Sequence, residues 1–169
     1  MRKLILPLVM ALSLCSCKNN ADLFNGEYSF KTSGNIQLSM NDGRLKDFEL
    51  TDELGTLQIE RLYKDSNDSV IILKNVFGGG VEVVKAAAYG DSLVLSPYTK
   101  TMEIVLNEAA DHLATLDVYR ADVMVSGNGY MYGNCIVIHE KYDGILFADG
   151  MEAGTLDSGD IVTVARRNE

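Results

Sequence analysis

The chain has 169 residues, with 24 Asp and Glu against 15 Lys and Arg, three cysteines and no tryptophan. A formal charge of −9 argues against nucleic-acid or anionic-lipid binding, which calls for clustered cations. The length suits one domain able to bury its own core without cross-links.

In chain order the first element is a targeting segment. Arg2 and Lys3 supply a positive start and Leu4 to Leu14 a short apolar run. A membrane-spanning helix needs ~20 apolar residues, and this run is shorter and contains Pro7. Leu14-Cys15-Ser16-Cys17 places a leucine three positions before a cysteine and a small residue directly before it, the arrangement a lipoprotein signal peptidase cuts. Residues 1–16 are therefore expected as a signal peptide and Cys17 as the lipid attachment site. Residues 17–25 are expected as a lipidated tether, and 26–169 as a single β-barrel-like domain. Losing Arg2 and Lys3 with the signal leaves 24 acids against 13 bases, a charge of −11. Cys15 leaves as well, so Cys135 is the one thiol of the folded part. In the apolar run Cys135-Ile136-Val137-Ile138 it is expected as a small core residue.

Beyond the tether, short runs alternate with turn residues. Glu27 to Lys31 alternates, and Ile36, Leu38 and Met40 share a face ahead of the hairpin signal Asn41-Asp42-Gly43. Leu45 to Leu50 alternates less cleanly. Thr56 to Tyr63 follows, then the polar turn Asp65-Ser66-Asn67-Asp68 and the more continuously apolar Val70 to Val76. Gly78-Gly79-Gly80 precedes Val81 to Tyr89, and Gly90-Asp91 turns into Leu93 to Leu95, a run that Pro97 is expected to end. Thr101 to Leu106 alternates again. In Asn107 to Leu116 a short helix competes, because Ala109, Ala110, Leu113 and Ala114 recur at helical spacing. Val118 to Val125 reads as a strand that Ser126-Gly127-Asn128-Gly129 breaks or kinks. Gly133-Asn134 leads into Cys135 to His139, Asp143-Gly144 reads as another hairpin, and Ile145 to Ala148 and Ile161 to Val164 complete the series. Strands spaced by roughly ten residues, with turns between them, predict an all-β domain. The expected form is an antiparallel β-barrel or barrel-like sandwich of about eight to ten strands.

Phe24-Asn25-Gly26-Glu27-Tyr28, the segment Ile71 to Phe77, Tyr89 to Pro97, Val125 to Tyr130 and Gly133 to Ile138, together with the cysteine of the signal, resemble the small exported calycin-like (lipocalin-like) β-barrel lipoproteins of Bacteroidota. The resemblance covers most of the mature chain and consists of strand and turn patterns. It implies an envelope protein with a calycin-like barrel and carries over no binding residue. Gly26-Glu27-Tyr28 stands where lipocalins open with Gly-x-Trp.

Candidate chemistry is sparse. His112 and His139 are the two histidines, and neither falls in a zinc-ligand spacing. Asp65 to Ser69 begins like a calcium loop but has Val70 where the loop needs glycine and Val76 where it needs glutamate. Gly78 to Gly80 lacks the Gly-Lys-Ser/Thr of a phosphate loop, and Ser126 lacks the flanking glycines of a nucleophile elbow. Tyr130 and Tyr132 share a strand face, where cross-strand packing accounts for them.

The expectation is a non-enzymatic, lipid-anchored cell-envelope protein that needs no cofactor and no metal. It would be attached to the membrane through Cys17 and bind a small apolar ligand or a protein partner, not nucleic acid. With Asp22 the sole acid in Lys18 to Asp22, an outer-membrane, periplasm-facing position is favoured. The rival is an envelope hydrolase or its accessory subunit, with His139 and Glu140 as the reactive pair. A third reading is an enzyme inhibitor gripping a basic target.

Overall fold

The computed structural model describes residues 20–110 and 113–168. Period-two alternation of buried and exposed side chains builds eight antiparallel strands. They are β1 (Gly26–Met40), β2 (Leu45–Arg61), β3 (Ser69–Val76), β4 (Val81–Tyr89), β5 (Ser92–Ala110), β6 (Leu113–Tyr132), β7 (Cys135–Ala148) and β8 (Met151–Arg167). Each strand pairs with the next, and β8 pairs back onto β1, so the sheet closes into a ring. The all-β, barrel-like architecture is thus the expected one.

A short helix, α1 (Asn20–Phe24), covers one end, here called the upper end. Although the polar stretch before β1 reads as a free tether, Ala21 and Phe24 are fully buried in the core. Arg167 of β8 latches this helix: its guanidinium donates to the carbonyls of Leu23 and Asn25 and to the Tyr28 hydroxyl, which itself donates to the Phe24 carbonyl. The Arg61–Asp22 ion pair adds a second tie. At the opposite, lower end lie the β1–β2 and β7–β8 hairpins. Asp42 closes the first by accepting from the Arg44 amide at 3.0 Å and the Arg44 guanidinium at 2.6 Å.

Several local expectations are corrected. The β7–β8 hairpin turns at Asp149-Gly150, whose φ angles of 52° and 79° suit the tight hairpin turn, and not at Asp143-Gly144. Those two residues lie inside β7, and a Cβ at Gly144 would come within 2.4 Å of the Asp122 carbonyl oxygen. Gly127 has the same role: β6 runs unbroken through Ser126 to Gly129, and a Cβ at Gly127 would lie 2.4 Å from the His139 carbonyl oxygen. The glycines allow neighbouring strands to approach; they do not end them. The helical spacing in Asn107 to Leu116 is overridden by pairing, since Asn107 to Ala110 continue β5 opposite Leu113 to Leu116 of β6. Pro97 does not end its strand either. It sits in a bulge where the β5–β6 register shifts between Leu95 and Tyr98, a position that spares its missing N–H.

That bulge is one of three near the middle of the barrel. In β2 the register shifts between Leu50 and Glu53, and in β8 between Ser158 and Ile161. Each inserts a residue and therefore flips the parity of everything beyond it. In β5, Leu93 and Leu95 are buried before the bulge, while Ile104 and Leu106 are buried after it. In β2, Phe48 and Leu50 pack inward below the bulge, and Leu57 and Ile59 above it.

The strands are unequal, and this shapes the lower half. β3 and β4 cover only the upper half. β2 pairs with β3 from Gly55 upward, and β5 pairs with β4 only through Ser92 to Leu95. The β3–β4 turn is tied to the wall where the Phe77 amide donates to the Leu54 carbonyl at 2.8 Å. Below it, among the described residues, Leu45 to Glu53 of β2 pair only with β1, and β5 beyond Leu95 pairs only with β6. The ring is closed above and slit along one side below.

Candidate functional site at the waist and the slit

The core falls into two apolar clusters. The upper one includes Phe24, Tyr28, Phe30, Leu57, Ile72 and Ile136, and the lower one Ile36, Leu38, Ile104, Tyr119, Leu146 and Leu156. Between them sits a network of charged and hydroxyl side chains. Strict alternation along β3 carries Val70, Ile72 and then Lys74 inward, and along β7 it carries Ile136, Ile138, Glu140 and Tyr142 inward. The bulges turn Glu53 of β2 and Tyr98 and Lys100 of β5 toward them. Glu82 of β4 reaches in from the edge of the slit.

The connections are continuous. The Lys74 ammonium lies 3.0 Å from Glu53 Oε2 and 4.0 Å from Glu140 Oε2, with the Phe30 ring 5.1 Å away. Lys100 donates to the Tyr142 hydroxyl at 3.0 Å and lies 3.5 Å from Glu82. The Tyr142 and Thr163 hydroxyls donate to Glu140 Oε2 at 3.4 and 3.2 Å. The Tyr98 hydroxyl lies 3.4 Å from both Glu82 and Glu140. Thr32 and Thr163 share a hydrogen bond of 2.6 Å.

Lys74 and Glu140 are both at most 5% exposed, a depth at which a polar group needs hydrogen-bonding or ionic partners, and each has them. Burial works to lower the Lys74 pKa, but Glu140, Glu53 and Glu82 more than reverse it and raise it above the ordinary lysine value. Burial likewise pushes Glu53 up, and Lys74 and Lys100 outweigh it, holding the carboxyl below its usual value. Tyr98 and Tyr142 are driven well above the usual phenol value, first by burial and then by the Glu140 charge. Both remain neutral hydrogen-bond donors.

Little space is left at the waist. The void beside Lys74, Tyr98, Glu140 and Thr163 measures about 10 Å³, room for roughly one water molecule. The barrel is therefore filled by its own side chains at the waist. The larger concavities, of about 470 and 640 Å³, lie outside along β5, β6 and β7, the second of them over Gly144.

The residues singled out from sequence do not assemble. Glu140 points inward, whereas His139, one residue earlier, lies on the outer face, its ring stacked on Tyr130 at 6.2 Å. Adjacent strand residues face opposite ways, so the two form no reactive pair. Tyr130 and Tyr132 are both exposed on that outer face, as expected. Cys135 is half-buried at the start of β7, its thiol 3.4 Å from Asn134 Oδ1, and is not the core residue its apolar neighbours suggest. Asp65 to Ser69 forms a self-bonded turn, with Ser66 Oγ accepting from the Ser69 amide. Cys17 and His112 lie outside the described residues.

Comparison with protein families, with curated proteins and with solved structures gives no match to this chain.

Proposed function

We propose that the chain is a lipid-anchored cell-envelope protein of the calycin-like kind that works by binding a protein partner on the outside of its barrel, without catalysis. The observation that carries this reading is the filled waist. A barrel of about eight strands either holds one small ligand or is packed with side chains, and a void of about 10 Å³ favours the second. The separation of His139 from Glu140 weighs against the hydrolase alternative. What the molecule offers instead is surface: a slit with unpaired strand edges, and shallow outer grooves.

Geometry supports the anchor's part. Cys17 precedes Asn20 of α1 by three residues, which span at most about 11 Å of extended chain. A lipid on Cys17 would hold the α1 end against the membrane and turn the slit end away from it, toward partners. The sequence features Arg2, Lys3, Leu14 and Ser16 around Cys17 carry the lipidation itself.

Native mass spectrometry of the full-length protein purified from envelopes tests the reading. A lipid-modified Cys17 at the mature N-terminus, no co-purifying small molecule and a stoichiometric protein complex are expected. A bound apolar molecule released on denaturation would overturn the partner reading, and an unmodified N-terminus at another residue would overturn the anchor.

A further inference from the structure

We propose that the partner adds an extended, basic segment as a strand to the free edge of β2 along Leu45–Glu53. This rests on the partner-binding reading above and specifies its chemistry. Three observations converge on that edge. The first is backbone: among the described residues, Leu45 to Glu53 pair with β1 on one side and with no strand on the other, so alternate N–H and C=O groups point into the slit. Such a row is a template for another chain.

The second is the state of the inward side chains. On β1, directly beside it, Ile36 and Leu38 are fully buried. On β2, Phe48 and Leu50 are only half-buried although they pack on the same cluster. A strand laid against β2 would cover them with its own inward residues. On β5 across the slit Ile104 and Leu106 are already buried and Met102 alone is half-buried, so β2 is the less covered of the two sides.

The third is charge. The outward side chains on β2 are Leu45, Asp47 and Glu49, and Glu103 is exposed on β5 across the slit. A second copy of this chain meeting β2 edge to edge would bring Asp47 and Glu49 against the same acids, and like charges across a strand pair are destabilising. The fitting guest alternates apolar residues facing in with Lys or Arg facing out. Its cations would lie beside Asp47 and Glu49 as cross-strand pairs.

The test uses the full-length lipidated protein in detergent and a fluorescent ten-residue peptide alternating Lys and Val. Controls are a peptide alternating Glu and Val and one with the Lys and Val residues in two blocks. Anisotropy should show binding of the alternating basic peptide alone, and hydrogen exchange should show new protection confined to the amides of residues 45–53. Asp47→Lys with Glu49→Lys, both at exposed positions, should weaken binding about tenfold or more with an unchanged circular dichroism spectrum. Asp143→Lys on β7 should leave it unaltered. Equal binding of the block peptide, protection elsewhere, or an indifferent Asp47/Glu49 variant would overturn strand addition. If the envelope complex survives while these outcomes are seen, the partner-binding reading stands and only its mode fails. If an apolar molecule is recovered from the barrel, the reading itself fails.

Discussion

Lys74 shows how much depends on one side chain. Its ammonium is paired with both Glu53 and Glu140, so Lys74→Met would leave two buried carboxylates without that partner. The expected cost is about 3–5 kcal/mol, as for other buried pairs broken from one side, read as a lower urea midpoint with an unchanged slope. Adding Glu53→Leu and Glu140→Leu to Lys74→Met should recover part of the loss, because apolar replacement of buried ion partners together is commonly less costly than removing one, while the hydroxyls of Tyr142 and Thr163 lose their acceptor. The same network sets the pH range. Glu53 has a folded pKa below its ordinary value near 4.5, so its contribution is present above that pH and lost as the pH falls through the folded value. Lys74, Tyr98 and Tyr142 are all raised, so they hold their protons when the unfolded chain begins to release its own near pH 10, and stability is lost above that. Urea titrations from pH 3 to 11 should therefore show a plateau with two falling limbs. Glu53→Gln should flatten the acid limb; an acid limb unchanged by that substitution would contradict the assignment.

Among the elements, the strands were far more legible than their registers. Period-two patterns mark β1 and the lower part of β5, because one face of each is packed on apolar neighbours, while β3 and the start of β7 read as continuous apolar runs. The inward course of Lys74 and Glu140 is not readable from their strands, because Val70 to Leu73 and Ile136 to Ile138 are apolar at every position and leave the phase open. Glu53, Tyr98 and Lys100 cannot be read either, since bulges flip their parity and no residue type alone announces a bulge. Glycines mislead in the same manner: Asp143-Gly144 has hairpin composition, yet the position serves strand contact. Gly127→Ala would drive a methyl group into the His139 carbonyl, 2.4 Å from its ideal position. Forced overpacking of this kind costs about 1–3 kcal/mol, and thermal melts should show it, whereas an unchanged melting temperature would sink the close-approach account. Phe24→Ala in α1 should cost about 3–5 kcal/mol, because the ring is fully buried in the upper cluster, and a loss below 1 kcal/mol would mean the helix is not seated there.

At the scale of the molecule, unequal strand lengths decide what the barrel can do. The short β3–β4 hairpin closes the upper half, the charged waist plugs the middle, and the lower half is a six-stranded trough bounded by β2 and β5. A filled waist with an open flank favours work at the edge over work in a cavity, and the sequence could not distinguish these because both use the same alternation. The slit also bears on solubility: Asp47, Glu49 and Glu103 charge its edges, a device that keeps free strands from pairing with their own copies. The claim that the ring is open below is tested most directly by residue-resolved hydrogen exchange of the free protein. Every second amide in Leu45 to Leu50 and in Thr99 to Leu106 is expected to exchange fast, while Leu57 to Arg61, paired on both sides, is protected throughout. Uniform protection of the lower halves of β2 and β5 would contradict the slit and the strand-addition mode with it.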